Sequence, residues 1–415
     1  MRCGISVEMS IMPINLALRN ILRQKLRSGV TLMAVAFGVV GLILAGGFIQ
    51  DIFIQLGEAI IHSQTGHLQV FKKDFIDKGT RSPERFMIEN PAELEARIAQ
   101  IQGVDAVMGR MYFSGLLNNG KRDFAIIGEG LEADKEARLG TLVMITEGRH
   151  LRAADTDGIM LGDGLARSLG LKPGDRVTLL ANTAEGAMNT LDLQVVGVFQ
   201  TFSKEYDARA VRIPLTAAQE LLFSKGVNLL VVSLHETRDT DRVLSLVETL
   251  LNGSEFEVKS WRTISDYYDK AVQLYDRQFG VLQFIILLMV LLSVANSVNM
   301  SLFERQGEFG TMQALGNRRK DVVRLVITES ILLGLAGAAL GVMAGVLLAI
   351  LVSAIGIPMP PPPNSNVGYT AMIRIVPLTI VMAFFIGFLA TVMAAVLPAR
   401  KISRIPIVDA LRQNI

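Results

Sequence analysis

The chain of 415 residues has a single cysteine, Cys3. One thiol excludes an internal disulfide and any cysteine-ligated metal centre. The four histidines are scattered without ligand spacing, so no metal site is expected. No apolar signal run precedes Cys3, which reads as an incidental cytoplasmic residue rather than a lipid anchor. Charge is scarce as well: 19% of residues are charged against 50% hydrophobic. That is too apolar for an ordinary soluble domain and too charged for a chain lying wholly in a membrane, so a mixture is expected. Catalytic patterns are missing. There is no G-x-S-x-G, no H-E-x-x-H and no glycine-rich phosphate loop. Asp155, Asp157 and Asp163 stand close together, but without a base, nucleophile or metal partner they read as solvated loop carboxylates. The chain is not expected to be an enzyme or to bind a cofactor itself, and no nucleic-acid partner is expected.

Four stretches are free of charge for the roughly 20 residues that a bilayer crossing needs. They lie between Arg27 and Asp51, between Arg277 and Glu304, from after Glu329 to about Pro358, and between Arg374 and Arg400. The first is too long for a signal peptide and no A-x-A site follows it. Basic residues cluster before the first span (Arg2, Arg19, Arg23, Lys25, Arg27), between the second and third (Arg305, Arg318, Arg319, Lys320, Arg324) and after the fourth (Arg400, Lys401, Arg404, Arg412). The loop between the third and fourth carries Arg374 alone. By the positive-inside rule both termini are cytoplasmic.

The fold expected is therefore membrane α-helical, with four transmembrane helices and a mixed α/β periplasmic domain inserted between helices 1 and 2. The division is 1–27 entry helix, 28–53 first span, 54–275 outer domain, 276–303 second span and 304–324 cytoplasmic loop. Then come 325–357 third span, 358–374 proline-rich outer loop, 375–398 fourth span and 399–415 tail. The segment from Ile11 to Arg27 has apolar residues at helical spacing among basic ones. It reads as an amphipathic surface helix or as a cytoplasmic extension of the first span. Within 54–275, Arg176 to Leu180, Leu191 to Phe199 and Val227 to Leu234 read as strands, and Pro91 to Ile101, Thr216 to Phe223 and Thr240 to Leu251 as helices. A further helix from Gly162 is stopped at Gly170. The length implies two subdomains.

In the third span Gly337, Gly341 and Gly345 recur every fourth residue, a spacing that lets helices pack closely in lipid. Asn296, Asn299 and Glu329 need partners between helices or in a cavity, and Glu329 is expected to pair with Arg324 or a nearby basic residue. Phe279, Leu282, Phe284 and Ile285, near the outer end of the second span, are candidates for a lipid entry. The cytoplasmic loop has room for a short helix, about Gly307 to Leu315, ended by Gly316-Asn317. It presents Phe309, Met312 and Leu315 on one side. Such a helix suits docking on a soluble partner or lying on lipid headgroups.

This loop also carries a resemblance. Glu304-Arg305, Glu308, Gly310, Ala314-Leu315-Gly316 and Arg319, then Glu329 and a glycine-rich span, resemble the signature of FtsX-like/MacB-type ABC permeases. The stretch from Leu16 to Gly38 fits the family's entry helix and first span, and Leu397 to Arg412 its closing motif. GIMLGDGLARSLGLKPGDRVTLL, VVGVF and PLTAAQELL resemble its periplasmic core domain. Within the family, FERQGEFGTMQALG and the second-span run are most similar to the lipoprotein-releasing permeases.

The resemblance implies a dimer with a second copy or a homologous permease, membrane lipid as a neighbour, and two copies of a separate ATPase holding ATP and Mg. The ATPase would dock on the loop helix, with Glu304, Arg305, Glu308, Phe309, Gly310, Met312, Leu315, Gly316 and Arg319 as coupling residues. The implied function is ATP-driven movement of a lipoprotein, lipid or other amphiphile out of a bacterial inner membrane. Efflux with an adaptor and outer-membrane channel, or non-transporting control of a wall hydrolase, are the family's other activities. A periplasmic carrier or adaptor is a further implied partner. The stretch matching the family's carrier-hooking hairpin, Ala181 to Leu191, is short here.

Overall fold

The computed structural model describes residues 15–79, 83–139, 142–183, 186–360 and 368–406. Cys3, Ile14, Arg412 and residues 361–367 of the proline-rich loop lie outside the described residues, as do Ala184 and Glu185 of the short hairpin. Two compact units emerge. One comprises Met1–Phe53, Val272–Ile357 and Thr370–Ile415; the other comprises Ile54–Ala271 and Pro358–Tyr369.

The first unit is helical. Among the described residues, four helices are long and apolar enough to cross a membrane: Lys25–Thr65, Asp266–Glu304, Arg319–Ile355 and Pro377–Ile402. Before them, an entry helix over 15–23 is set off from the first long helix by a turn at Gln24. Ser28 Oγ bridges that break by donating to the carbonyl of Ile21 at 3.0 Å. Every helix reaches beyond the charge-free stretch that marks it in the sequence. The first carries Asp51 inside it, at 0% exposure. Arg374 Nε donates to Asp51 Oδ1 at 2.8 Å, and the Met372 amide donates to Oδ2 at 2.9 Å. A buried carboxylate thus earns its place by fixing the segment that leads into the fourth helix.

Small residues bring the first and third helices together. A Cβ on Gly337 would stand 3.0 Å from Val35, one on Gly341 2.7 Å from Val39, and one on Gly345 3.0 Å from Ile43. Three branched side chains, four residues apart, fill three notches of the same spacing. Lipid tails offer no hydrophobic drive for helix association, so close contact of this kind supplies the attraction.

The second unit holds a ten-stranded mixed sheet from residues 68–260, between the first and second long helices in chain order. Its strands are β1 (Leu68–Lys72), β2 (Val104–Asn118), β3 (Asp123–Leu131), β4 (Met144–Gly148), β5 (Gly158–Gly162), β6 (Arg176–Asn182), β7 (Met188–Gln200), β8 (Ala210–Pro214), β9 (Leu229–Leu234) and β10 (Phe256–Ser260). Among the described residues, five helices of seven residues or more accompany it: α1 (Pro91–Ala99), α2 (Ala133–Leu139), α3 (Asp163–Leu169), α4 (Leu215–Leu222) and α5 (Thr240–Leu251). The chain leaves α3 through Gly170 at φ 65°, a left-handed position that suits glycine.

The two largest apolar cores of this unit lie on one continuous sheet. One core joins α3 and α4 to β2, β5, β6, β7 and β8; the other joins α1 and α5 to β1, β9 and β10. The sheet is unbroken because β2, at 15 residues, serves both halves. Its first half pairs with β9 and its second half with β6, while β3 pairs along its second half on the other edge. Two of the three clustered aspartates are tied in ion pairs, Asp155 with Arg149 at 2.6 Å and Asp163 with Arg167 at 2.7 Å.

Candidate coupling junction

The loop between the second and third long helices folds into a helix, Gln306–Ala314. Its end is built by the chain itself. Gly316 takes φ 98°, and the Asn317 amide returns to the Met312 carbonyl at 3.1 Å. This six-to-one bond closes a left-handed helix stop of the Schellman type. The third long helix then starts at Arg319, where the Asp321 carboxylate accepts from the Arg318 amide at 2.8 Å. The whole turn from helix to helix takes four residues, so little slack separates the two.

The loop helix does not lie loose. Phe309 is 2% exposed and packs with Ala17, Leu302, Val322, Val326 and Ala399. Those residues come from the entry helix and from the second, third and fourth long helices. Burying one phenylalanine this fully is worth roughly 3 kcal/mol. The three apolar residues read from the sequence as one outward face therefore divide. Phe309 points into the bundle, Met312 is half-buried against the same core, and Leu315 alone stands out, at 81% exposure. Gly310 is buried, while Glu304, Glu308, Gly316 and Arg319 are exposed.

Arg305 is the polar centre of the junction. Its side chain is buried, with Nη1 donating to Glu329 Oε2 at 2.8 Å and Nε donating to Glu308 Oε2 at 3.1 Å. Its guanidinium lies 5.0 Å over the Phe309 ring, a favourable cation–π contact. Burial opposes the charge on Arg305, yet Glu329 and Glu308 raise its pKa above the ordinary arginine value. Burial likewise opposes ionisation of Glu308, but hydrogen bonds from Arg23 and Arg305 win and lower its pKa. Arg23 also pairs with Glu308 from the entry helix, and Arg27 with Glu304. Asn20 Nδ2 donates to the other Glu329 oxygen at 2.7 Å. Three cations and three carboxylates thus tie the entry helix, the first three long helices and the loop helix together.

Glu329 is accordingly the partner of Arg305 rather than Arg324. The reason lies in helix geometry. Five residues separate Arg324 from Glu329, which puts them on different faces of a helix, whereas Arg305 arrives from the antiparallel neighbour. Among the described residues, no hydrogen bond comes from the side chains of Asn296 or Asn299. The polar links from the second helix are Ser297, 2.6 Å from Thr31, and Ser301, which donates to Gln24 at 3.0 Å. Serines are frequent enough in membrane helices that nothing in their spacing marked these two. A cavity of about 40 Å³ opens between Gln24, Thr31, Ser297, Arg305 and Glu329, which is room for about three waters.

At the other end of the second helix, Phe279 is half-buried and reaches towards Gly46 of the first helix. Leu282, Phe284 and Ile285 are exposed. Apolar side chains exposed on a membrane-spanning segment face lipid or another protein.

Two family patterns match the chain: FtsX-like permease C-terminal over residues 280–407, and MacB-like periplasmic core domain over residues 28–250. An uncharacterized ABC transporter permease of Methanocaldococcus jannaschii is 22% identical, over 96% of this chain and 97% of its own length. The lipoprotein-releasing system transmembrane protein LolC of Neisseria meningitidis is 24% identical, over 79% of this chain and 80% of its own. The macrolide export ATP-binding/permease protein MacB of a Shewanella species is 26% identical, over 61% of this chain and 39% of its own length. Among solved structures, the periplasmic region of MacB from Actinobacillus actinomycetemcomitans overlaps 49% of this chain and 92% of that chain. The TM-score is 0.37 and the identity 15%.

Proposed function

The chain belongs to the FtsX-like ABC transporter permeases that carry a MacB-like periplasmic core domain, and from that premise we propose that it is the permease of an ATP-driven complex that lifts a lipoprotein, lipid or other amphiphile out of the inner membrane. The hydrolysis belongs to a separate ATPase, two copies per complex, with ATP and Mg held there. The permease works as a dimer with its termini in the cytoplasm and its sheet unit in the periplasm. The ATPase meets the exposed tip of the loop helix, Leu315 to Arg319, and Arg305 passes the resulting displacement to the bundle. The observation that carries this reading is the buried Arg305, bonded at once to the loop helix through Glu308 and to the third long helix through Glu329. A push on the loop helix then has no soft element to dissipate in. The exposed Phe284 and Ile285 face is the proposed entry for the acyl chains.

A second reading draws support from the β6–β7 hairpin. Asn189, beside its turn, donates to the Leu221 carbonyl at 2.9 Å, which ties the hairpin down on α4. A short, tethered hairpin suits an adaptor or a regulated periplasmic enzyme better than a hooked carrier.

The test is purification of the full-length protein with its co-expressed ATPase, followed by reconstitution with a lipid-modified protein. Leu315→Asp is expected to abolish co-purification of the ATPase. Arg305→Met is expected to keep the ATPase bound and hydrolysing while release of the lipid-modified protein stops. Wild-type coupling in both variants would sink the assignment of the junction.

A further inference from the structure

One set of buried charges in the sheet unit lies far from any role given above. Arg110 and Tyr112 on β2, Glu129 on β3 and Arg212 on β8 share one face of the sheet. The register sets Tyr112 opposite Glu129 and Glu129 opposite Arg212. The residues between them, Met111 and Ile213, point to the other face and into an apolar core. Alternation along a strand therefore sorts this sheet into a greasy side and a charged side. Charged residues are seldom placed on a buried face unless each is paired.

Here they are paired, and the pairing has a direction. Arg110 grips Glu136 of α2 through Nε and Nη2, and Arg212 Nε donates to Glu129 at 3.0 Å. Each arginine keeps one further donor for the backbone. Arg212 Nη2 donates to the Ser63 carbonyl at 2.9 Å, and Arg110 Nη1 donates to the Gln64 carbonyl. Both carbonyls belong to a single π turn, Ile61–Thr65, that ends the helix begun at Lys25. The chain then leaves through Gly66 at φ 67°. The last carbonyls of a helix have no partner within it and carry its negative dipole end. Two guanidiniums satisfy those carbonyls, and two carboxylates hold the guanidiniums.

Buried ion pairs are a poor way to gain stability, since apolar residues of similar volume do as well or better. What apolar residues cannot do is hold a helix end by its carbonyl oxygens. We propose that Arg110 and Arg212 form a clamp that fixes the end of the first long helix to the sheet, so that movement of that helix is delivered to the sheet instead of being absorbed in the π turn. This rests on the ATP-driven reading above and adds to it the residues through which motion enters the sheet unit. Arg110 and Arg212 are positioning residues: they touch no substrate.

The test uses full-length protein in lipid nanodiscs with its ATPase. Arg212→Met alone strands Glu129 and risks misfolding. The informative variants are therefore Arg212→Met with Glu129→Leu, and Arg110→Met with Glu136→Leu. Each removes a whole ion pair and leaves no buried lone charge. Hydrogen exchange is followed with and without ATP. In both double variants the amides of residues 61–67 are expected to exchange about tenfold faster, the scale of one lost charge-assisted bond, while β2 and β8 stay protected. Addition of ATP should still alter exchange in the loop helix but no longer in β2 and β8. Wild-type exchange at 61–67, or a wild-type ATP response in β2 and β8, overturns the clamp. If the ATPase leaves even the wild-type loop helix unaltered, the ATP-driven reading falls and the delivery of motion falls with it. The exchange at 61–67, read without ATP, separates that failure from a failure of the clamp to hold the helix end.

Discussion

Arginines hold the end of a helix in the sheet unit and the junction of the long helices, and these two ties are built differently. In the sheet unit, Arg110 and Arg212 are themselves buried and so are their carboxylates, Glu136 and Glu129. Three of the four residues sit on neighbouring strands of one sheet. At the junction of the long helices, Arg305 is buried, but the pairs around it reach water: the Arg23 side chain is 60% exposed and that of Glu308 43%. The carboxylates there come from separate helices. A tie whose partners share one rigid element can only hold. A tie whose partners sit on separate elements, with water at its rim, can be exchanged for other partners at little cost. The difference matches a fixed joint in one unit and a switchable contact in the other.

Substitutions can break that comparison. Arg212→Met alone is expected to cost the most, about 3–5 kcal/mol, because it leaves Glu129 buried and unpaired. Chemical unfolding in detergent reads this through Trp261, the only tryptophan and a buried residue of the sheet unit. A cost below that for Arg305→Met would reverse the assignment of fixed and switchable ties.

Next comes His67, which follows the clamped turn. It is 1% exposed, its Nδ1 accepts from the Leu234 amide at 3.1 Å, and burial lowers its pKa to about 4. A histidine whose folded value lies below its unfolded 6.5 binds fewer protons when native, so its contribution is complete above 6.5. That contribution is lost as pH falls towards about 4, by up to about 3 kcal/mol. His62 works in the opposite sense. Its hydrogen bond to Glu58 raises its pKa, so its contribution is present in acid and lost as pH rises. Comparing the pH dependence of Trp261 unfolding in wild type and His67→Gln isolates the His67 share; equal acid slopes would refute it.

Arg305→Met is expected to cost about 2 kcal/mol, visible as faster proteolysis of the loop helix. The smallest effect belongs to Arg23→Ala, below about 1 kcal/mol, since exposed pairs are weak. It should nonetheless alter coupling in the assay of the reconstituted complex. A loss of stability as large as that of Arg305→Met would mean that the rim is part of the fixed core.

Much of the architecture was legible in the sequence, for physical reasons that also mark where it stopped being so. Charge-free runs reveal long apolar helices because charge in hydrocarbon is costly. The same runs hide helix ends, because helices continue into water without any change that hydropathy registers. In the sequence Phe309 shares one side of the loop helix with Met312 and Leu315, and an apolar side chain looks the same whether it awaits a partner or fills a core. Its burial depends on Ala17, Val322 and Ala399, which are distant in sequence. Sequence pattern leaves the partner of Glu329 open for a similar reason: its pair with Arg305 joins residues 24 apart on antiparallel helices. The clamp left a faint trace, one charged residue (Arg110, Glu129 or Arg212) amid the apolar run of each of three strands. In a strand with one wet face that pattern is ordinary, and only the structure shows that the face is dry.

The notches between the first and third long helices limit how the permease moves. Val35, Val39 and Ile43 sit like teeth against Gly337, Gly341 and Gly345, and successive teeth are four residues apart, about 6 Å along a helix. Sliding by a fraction of that distance drives a tooth onto the ridge between two notches. Small strokes therefore carry both helices as one rod, like a rack locked in its pinion, and only a stroke of a full tooth shifts one past the other.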